Sequence, residues 1–155
     1  MSELDPSQLK RIAAQCPGLQ ARATARALTR FYSACFNPLG LTAEQFALLV
    51  GIGAADGASV VDLAASAGVD ATTLSRSVQA LEQRGLVQAV GGRGRAGKRL
   101  SLSASGQALM LEAVPVWRRA RASLSRRLGQ ATVQATRQAM KDLADAVVDL
   151  DRAPS

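Results

Sequence analysis

The chain has 155 residues, 48% of them apolar, which is enough to bury a hydrophobic core and reads as a single domain over 1–155. Its formal charge is +7 and it has no histidine, so it favours an anionic partner while lacking the commonest general base. With only Cys16 and Cys35 as thiols, and no Gly-rich phosphate loop or nucleophile elbow, the sequence predicts no metal, no cofactor and no enzyme activity.

Ser2-Glu3-Leu4-Asp5 lacks the basic and apolar regions of a signal peptide, and no apolar run approaches the ~18 residues of a membrane span, so a cytoplasmic protein away from membranes is expected. Asp5-Pro6-Ser7-Gln8 predicts a helix start, with Asp5 as N-cap and Pro6 at the first helical position. That helix is expected to stop near Gln15, where Cys16-Pro17-Gly18 interrupts it, and a second one to run from about Pro17 to Phe36. Leu28, Phe31 and Cys35 share one of its faces with Tyr32 at the margin, whereas Arg22, Arg26 and Arg30 form a separate ridge.

Thr42-Ala43-Glu44-Gln45 matches a capping box, and Leu41 with Phe46 fits the accompanying hydrophobic staple. The helix that follows is expected to carry Phe46, Leu49 and Val50 inward and to end near Ala55. Ser59 with Asp62 caps the next short helix, whose buried side is assigned to Val60, Leu63, Ala64 and Ala67. Gly68 is the turn and Asp70 the N-cap of a further helix, Ala71 to Arg84. In that helix Leu74, Val78 and Leu81 form the inward stripe, and Thr72, Arg76, Gln79 and Gln83 fall on the opposite face as a row of hydrogen-bonding side chains.

Leu86–Val90 and Lys98–Ser103 are short strand candidates joined by a glycine-rich basic loop containing Arg93 and Arg95. Helix, tight turn, helix and basic hairpin in succession make a winged helix-turn-helix, and the protein is predicted to be mainly α with a small β-wing. The partner this implies is double-stranded DNA: between Arg76 and Arg99 lie six basic residues and one acid, Glu82. Two long helices close the chain, from about Ala104 to Leu128 and from about Thr132, with Pro115 inside the first and Gly129 between them. Their stripes, Met110, Ala113, Trp117, Ala120 and Leu124, then Thr136, Met140, Leu143, Val147 and Leu150, exceed what a small DNA-binding module needs. We therefore expect a homodimer, with 42–103 as the DNA-binding part and 1–36 and 104–151 as dimerisation helices.

Leu41-Thr42-x-x-Gln45-Phe46, Leu63-Ala64, Gly68-Val69-x-x-x-Thr73-Leu74-Ser75-Arg76, Leu81-Glu82-x-Arg84-Gly85-Leu86-Val87 and Leu100-x-Leu102-Ser103-x-x-Gly106 follow one another in order. In that order and spacing they resemble the MarR family of bacterial transcription regulators, over about Leu19 to Leu128. The resemblance implies homodimers that bind palindromic operators, usually as repressors, and release them on binding a small aromatic or phenolic ligand or on oxidation of a cysteine. It places Thr72, Thr73, Ser75 and Arg76 nearest the DNA, beside Gln79 of the same face, with Arg93, Arg95 and Lys98 in the wing. The family's wing usually carries Asp-x-Arg; counting back from Lys98-Arg99-Leu100 aligns the arginine with Arg95 and puts Arg93 where the orienting acid stands, which leaves Arg95 less preorganised.

For the effector, the ridge of Arg22, Arg26 and Arg30 with Tyr32 is the candidate lining, since arginine holds carboxylates in bidentate pairs; a surface ridge making intersubunit salt bridges is the competing reading. Cys16 is the candidate redox residue, because a helix start is a setting that favours thiolates. Registering on Phe31-Tyr32, however, puts the family's sensor position at Gly18. A dimeric interaction module without sequence-specific DNA binding is the remaining alternative, which the unusual wing leaves open.

Overall fold

A computed structural model describes residues 5–55, 57–92 and 97–152 of the chain. Its elements are α1 (Pro6–Gln15), α2 (Pro17–Phe36), a single 3-10 turn (Asn37–Leu39), α3 (Ala43–Ala55), α4 (Val60–Ala67), α5 (Ala71–Gln83), β1 (Val87–Gly91), β2 (Lys98–Leu102), α6 (Ala104–Leu128) and α7 (Gln130–Arg152). Arg93 and Arg95 lie outside the described residues. No single helix among the described residues is long and apolar enough to cross a membrane.

The helix starts are set by local side-chain chemistry. Asp5 accepts the Ser7 N–H at 2.8 Å. At α3, the Thr42 N–H donates to Gln45 Oε1 at 3.1 Å and the Gln45 N–H to Thr42 Oγ1 at 3.2 Å, so two otherwise orphaned donors are satisfied reciprocally. Ser59 and Asp62 do the same for α4. Asp70 accepts the Thr73 N–H at 2.9 Å to begin α5. Between these last two helices Gly68 adopts φ 63°, a left-handed conformation that costs a residue with a Cβ more than it costs glycine.

Two compact units divide the chain, Met1–Val114 and Pro115–Ser155, with α6 crossing the boundary. In the first, α2 packs on α3, α4 on α5, and β2 on both α3 and α4. Phe36, Leu49, Ile52, Leu81 and Leu100 are fully buried, one or two from each contributing element. Phe36 also stacks on Phe46, with ring centroids 4.2 Å apart. In the second unit Ala120 is buried and Arg121 lies 5.8 Å over the Trp117 ring. The helix α6 continues through Pro115.

Some expected inward positions are corrected. Val50 is 43% exposed, and Ile52, three residues past Leu49, is buried instead, because the contact face of α3 continues along the Leu49–Ile52 ridge. Ala67 is exposed at the last turn of α4, where the chain is already leaving for Gly68. The helix α5 ends at Gln83 and Arg84 caps it; β1 begins at Val87 rather than Leu86, β2 ends at Leu102 rather than Ser103, and α7 begins at Gln130.

The antiparallel wing pairs Val87 with Leu102 and Gly91 with Lys98. Its inner edge is tied to the loop before α4: the Leu100 N–H donates to the Ala58 carbonyl at 3.0 Å and the Gly57 N–H to the Leu100 carbonyl at 3.2 Å. Arg99 adds a side-chain tie, donating to the Gly57 carbonyl at 3.3 Å and to the Asp62 carboxylate at 3.4 Å. At the other end Ser103 closes the wing. Its N–H donates to the Leu86 carbonyl, its hydroxyl to the Gly85 carbonyl, and its oxygen accepts the Gly106 N–H at 3.0 Å. Gly106 is buried here because its Cα faces the Leu86 carbonyl: a Cβ would overlap that oxygen and sit 3.0 Å from its carbon.

Two outcomes follow from this packing. Gly106→Ala is expected to destabilise the protein by about 1–3 kcal/mol, the usual cost of overpacking against backbone, read as a lower urea midpoint; an unchanged midpoint would show that the turn opens freely. The hydrogen bonds from Ser59, with a smaller contribution from Arg99, hold the Asp62 carboxyl below the usual carboxylate range. A lowered folded-state value stabilises fully above the unfolded value, about 3.9, and that contribution is lost as pH falls through the folded one. Asp62→Asn should therefore flatten the loss of stability below about pH 4; a parallel acid limb in variant and parent would remove Asp62 from the account.

Candidate nucleic-acid interface

The interface is organised by α5. Burying Leu74, Val78 and Leu81 fixes the rotation of the helix about its axis, and a period of 3.6 residues then turns Thr72, Thr73, Arg76, Gln79 and Gln83 to solvent, all of them exposed. Ser75 sits half-buried on the flank, whereas Thr72 and Thr73 are exposed. The Thr73 amide is already held by Asp70. The Arg76 guanidinium makes no ion pair among the described residues and projects its five donors outward.

The far end of α5 is anchored by Arg84, to which the sequence analysis assigned no contact. Arg84 donates from Nη1 to Gln45 Oε1 at 3.2 Å, the same oxygen that caps α3. The contact also places a cation at the C-terminal end of α5, where it suits the helix dipole. No signal in the sequence links positions 45 and 84, because the pairing exists only once α3 and α5 are packed.

Beside α5 the wing presents Lys98, exposed opposite Gly91. Arg99, its neighbour in the basic run, is turned to the other side of the strand and tied to Asp62 and Gly57. Alternation along β2 thus separates two adjacent cations into one that makes no ion pair among the described residues and one used as a brace.

The candidate effector residues divide. Arg22, Arg26 and Arg30 are exposed along α2, while Tyr32 is half-buried between Phe31 and Phe36, with ring centroids at 5.2 and 6.3 Å. A cavity of about 420 Å³ lies elsewhere, against Arg118, Arg121, Ser125 and Arg126. Cys16 is half-buried at the N-cap position of α2, makes no side-chain cap, and has a free thiol, as does Cys35. Among the described residues no group of three His, Cys, Asp or Glu gathers as a metal site.

A sequence model of the MarR family matches residues 39–96, which span α3 to β1 and stop before β2. A search of curated protein sequences returned no match. Among solved structures, the M. tuberculosis transcriptional regulator MosR is 30% identical, with a TM-score of 0.75, covering 88% of this chain and 98% of its own. MosR in complex with DNA is 32% identical, with a TM-score of 0.71 and coverages of 86% and 98%. The transcriptional repressor CouR bound to a 23-mer DNA duplex shares the fold at 23% identity, with a TM-score of 0.77 and coverages of 92% and 99%. Matched from α3 through β1 by the family's sequence pattern, and 30% identical to a regulator that it spans almost end to end, the chain belongs to the MarR family of transcription regulators.

Proposed function

We propose that the protein is a homodimeric, cytoplasmic repressor that holds a palindromic operator, with α5 of each subunit in a major groove, and releases it when a small aromatic or phenolic ligand binds. The observation that carries this reading is the exposed, hydrogen-bonding face of α5, with the Arg76 guanidinium in no ion pair among the described residues, on a helix held at both ends. A side chain held on a rigid element can pay for base discrimination that a mobile one cannot. MosR, CouR and MarR have each been solved on DNA, and CouR also on p-coumaroyl-CoA, which supports both partner classes for this chain.

The dimer is supported by the terminal helices. Leu9 and Ile12 on α1, and Met140, Leu143, Val147 and Leu150 on α7, are each more than two-fifths exposed, and α7 buries no residue. A helix with that much apolar surface in water gains little from tertiary contact within its own chain, so a second copy is the economical cover. Two α5 helices about one DNA turn apart then read a palindrome, and an effector that favours a different spacing releases it. Arg22, Arg26 and Arg30 are the proposed carboxylate contacts of that effector. A second reading, oxidation as the trigger, is favoured by the free thiol of Cys16 at the break between α1 and α2.

The operator, selected from random duplexes with the purified protein, supplies the assay. Arg76→Ala should weaken binding to it by about 1–3 kcal/mol and relax one base preference, whereas Lys98→Ala should weaken all sequences alike and lower the salt slope by about 1. Equal binding of the operator by parent and Arg76→Ala would remove Arg76 from the reading face, and equal binding of the operator and a scrambled duplex by the parent would leave a module without sequence-specific reading. Hydroxybenzoate is expected to release the operator, with Arg26→Ala needing at least roughly tenfold more, the worth of one charged hydrogen bond. Release by peroxide alone, abolished in Cys16→Ser, would establish the redox reading instead.

A further inference from the structure

Between Glu112 and Asp142 the sequence carries seven basic residues and no acid, and five of them, Arg118, Arg119, Arg121, Arg126 and Arg127, stand in the C-terminal half of α6. Arg118, Arg121, Ala122 and Ser125 follow the spacing that brings residues onto one side of a helix, with Arg126 at its margin. With Gln130 at the start of α7, these residues line the cavity of about 420 Å³, which lies wholly within the second unit. Three guanidiniums thus share one cavity, no carboxylate lines it, and none of the three makes an ion pair among the described residues.

Like charges on adjacent turns of a helix repel, so this grouping is destabilising until an anion joins it. Two of the three arginines are nevertheless held by neighbours. Arg121 lies 5.8 Å over the Trp117 ring. Arg126 donates from Nη2 to Ser123 Oγ at 2.9 Å, and that hydroxyl donates in turn to the Arg119 carbonyl at 3.1 Å. Arg118 is exposed, and Ser125 adds a half-buried hydroxyl to the lining. Gly129 has no side chain with which to cap α7, and the first turn of that helix holds no acid, so its amides suit the same sign of ligand. The volume falls within the roughly 300–1,000 Å³ of small-molecule sites, larger than a single carboxylate needs.

We propose that this cavity binds the diphosphate group of a small anion, with Arg118, Arg121 and Arg126 as its charged contacts and Ser125 and Gln130 as neutral ones. A guanidinium presents paired donors that match phosphate oxygens bidentately. A diphosphate brings several negative charges and many acceptor oxygens to three such groups, where a carboxylate brings one charge and two oxygens. The site is independent of the operator reading and of the effector residues on α2.

The test is calorimetry of the full chain with inorganic diphosphate, at constant ionic strength so that screening does not vary. One diphosphate per chain is expected to bind with a dissociation constant below about 1 mM, and inorganic phosphate at least roughly tenfold more weakly, since it meets fewer donors. Arg118→Gln and Arg121→Gln should each weaken diphosphate at least roughly tenfold, the worth of one charged hydrogen bond. Arg127→Gln removes the same charge from the opposite side of α6, nine residues from Arg118, and should change the affinity by less than about twofold. Ala122→Glu leaves every arginine in place but adds a carboxylate to the cavity, and should abolish binding. Comparable affinity for ADP would extend the ligand to nucleoside diphosphates, and much weaker ADP would confine it to free diphosphate; both uphold the site. No saturable binding up to about 10 mM diphosphate overturns it, as do equal losses in Arg118→Gln and Arg127→Gln, which would mean general attraction to a basic helix. It is also overturned if Arg118→Gln and Arg121→Gln sediment as a smaller species than the parent, which gives these arginines to carboxylates of a second copy. A salt slope of operator binding lowered by Arg118→Gln as by Lys98→Ala would give them to DNA and overturn it too.

Discussion

Everything that faces outward on α5 follows from what the helix buries. Leu81 is fully buried and Val78 nearly so, with Leu74 at the edge of the core. Rotating the helix by even one residue would bring 100° of polar surface into the core and leave apolar groups in water, at about 25 cal/mol for each Å² exposed. The direction of Arg76 is thus decided by residues that never touch a ligand. Leu100 from β2 is buried in the same unit, so the wing and the reading helix are oriented by one body of packing.

Within that frame, individual cations acquire different uses from their placement. Exposed ion pairs contribute little to stability on their own, and Arg99–Asp62 is an exposed pair. Its value lies in combination: the same carboxylate takes the N–H and hydroxyl of Ser59, and the same guanidinium reaches the Gly57 carbonyl. Three short elements, the α4 cap, the loop before it and β2, are joined by groups that each serve twice. Arg84 works alike at the other end of α5, on an oxygen already occupied in capping α3. Among the described residues of α5 and the wing, Arg76 and Lys98 make no ion pair.

The terminal helices present the opposite balance. In the first unit a core that includes Phe36, Leu49, Ile52, Leu81 and Leu100 finds cover within the chain, whereas α7 buries no residue. Helix propensity alone rarely sustains such a segment, since an isolated helix is marginal in water.

Much of this was legible in the residues because it is local. Capping boxes at Thr42–Gln45 and Ser59–Asp62, the Asp5 and Asp70 caps, the Gly68 turn and the stripe of Leu74, Val78 and Leu81 depend on neighbours within a few positions, and helix period converts that stripe directly into an exposed face. The order of elements and the motifs that resemble the MarR family were equally available from the sequence. Tertiary structure alone decided the rest. That Ile52 and not Val50 turns inward depends on where α2, α5 and β2 lie against α3. Ser75 is half-covered, and Arg99 braces α4 while Lys98 stays free, because strand alternation has a direction only after the wing has docked. Arg84 meets Gln45, and Gly106 must lack a Cβ beside Leu86, across separations over which sequence spacing carries no information about contact. Local periodicity determined which faces exist; packing determined what each face meets.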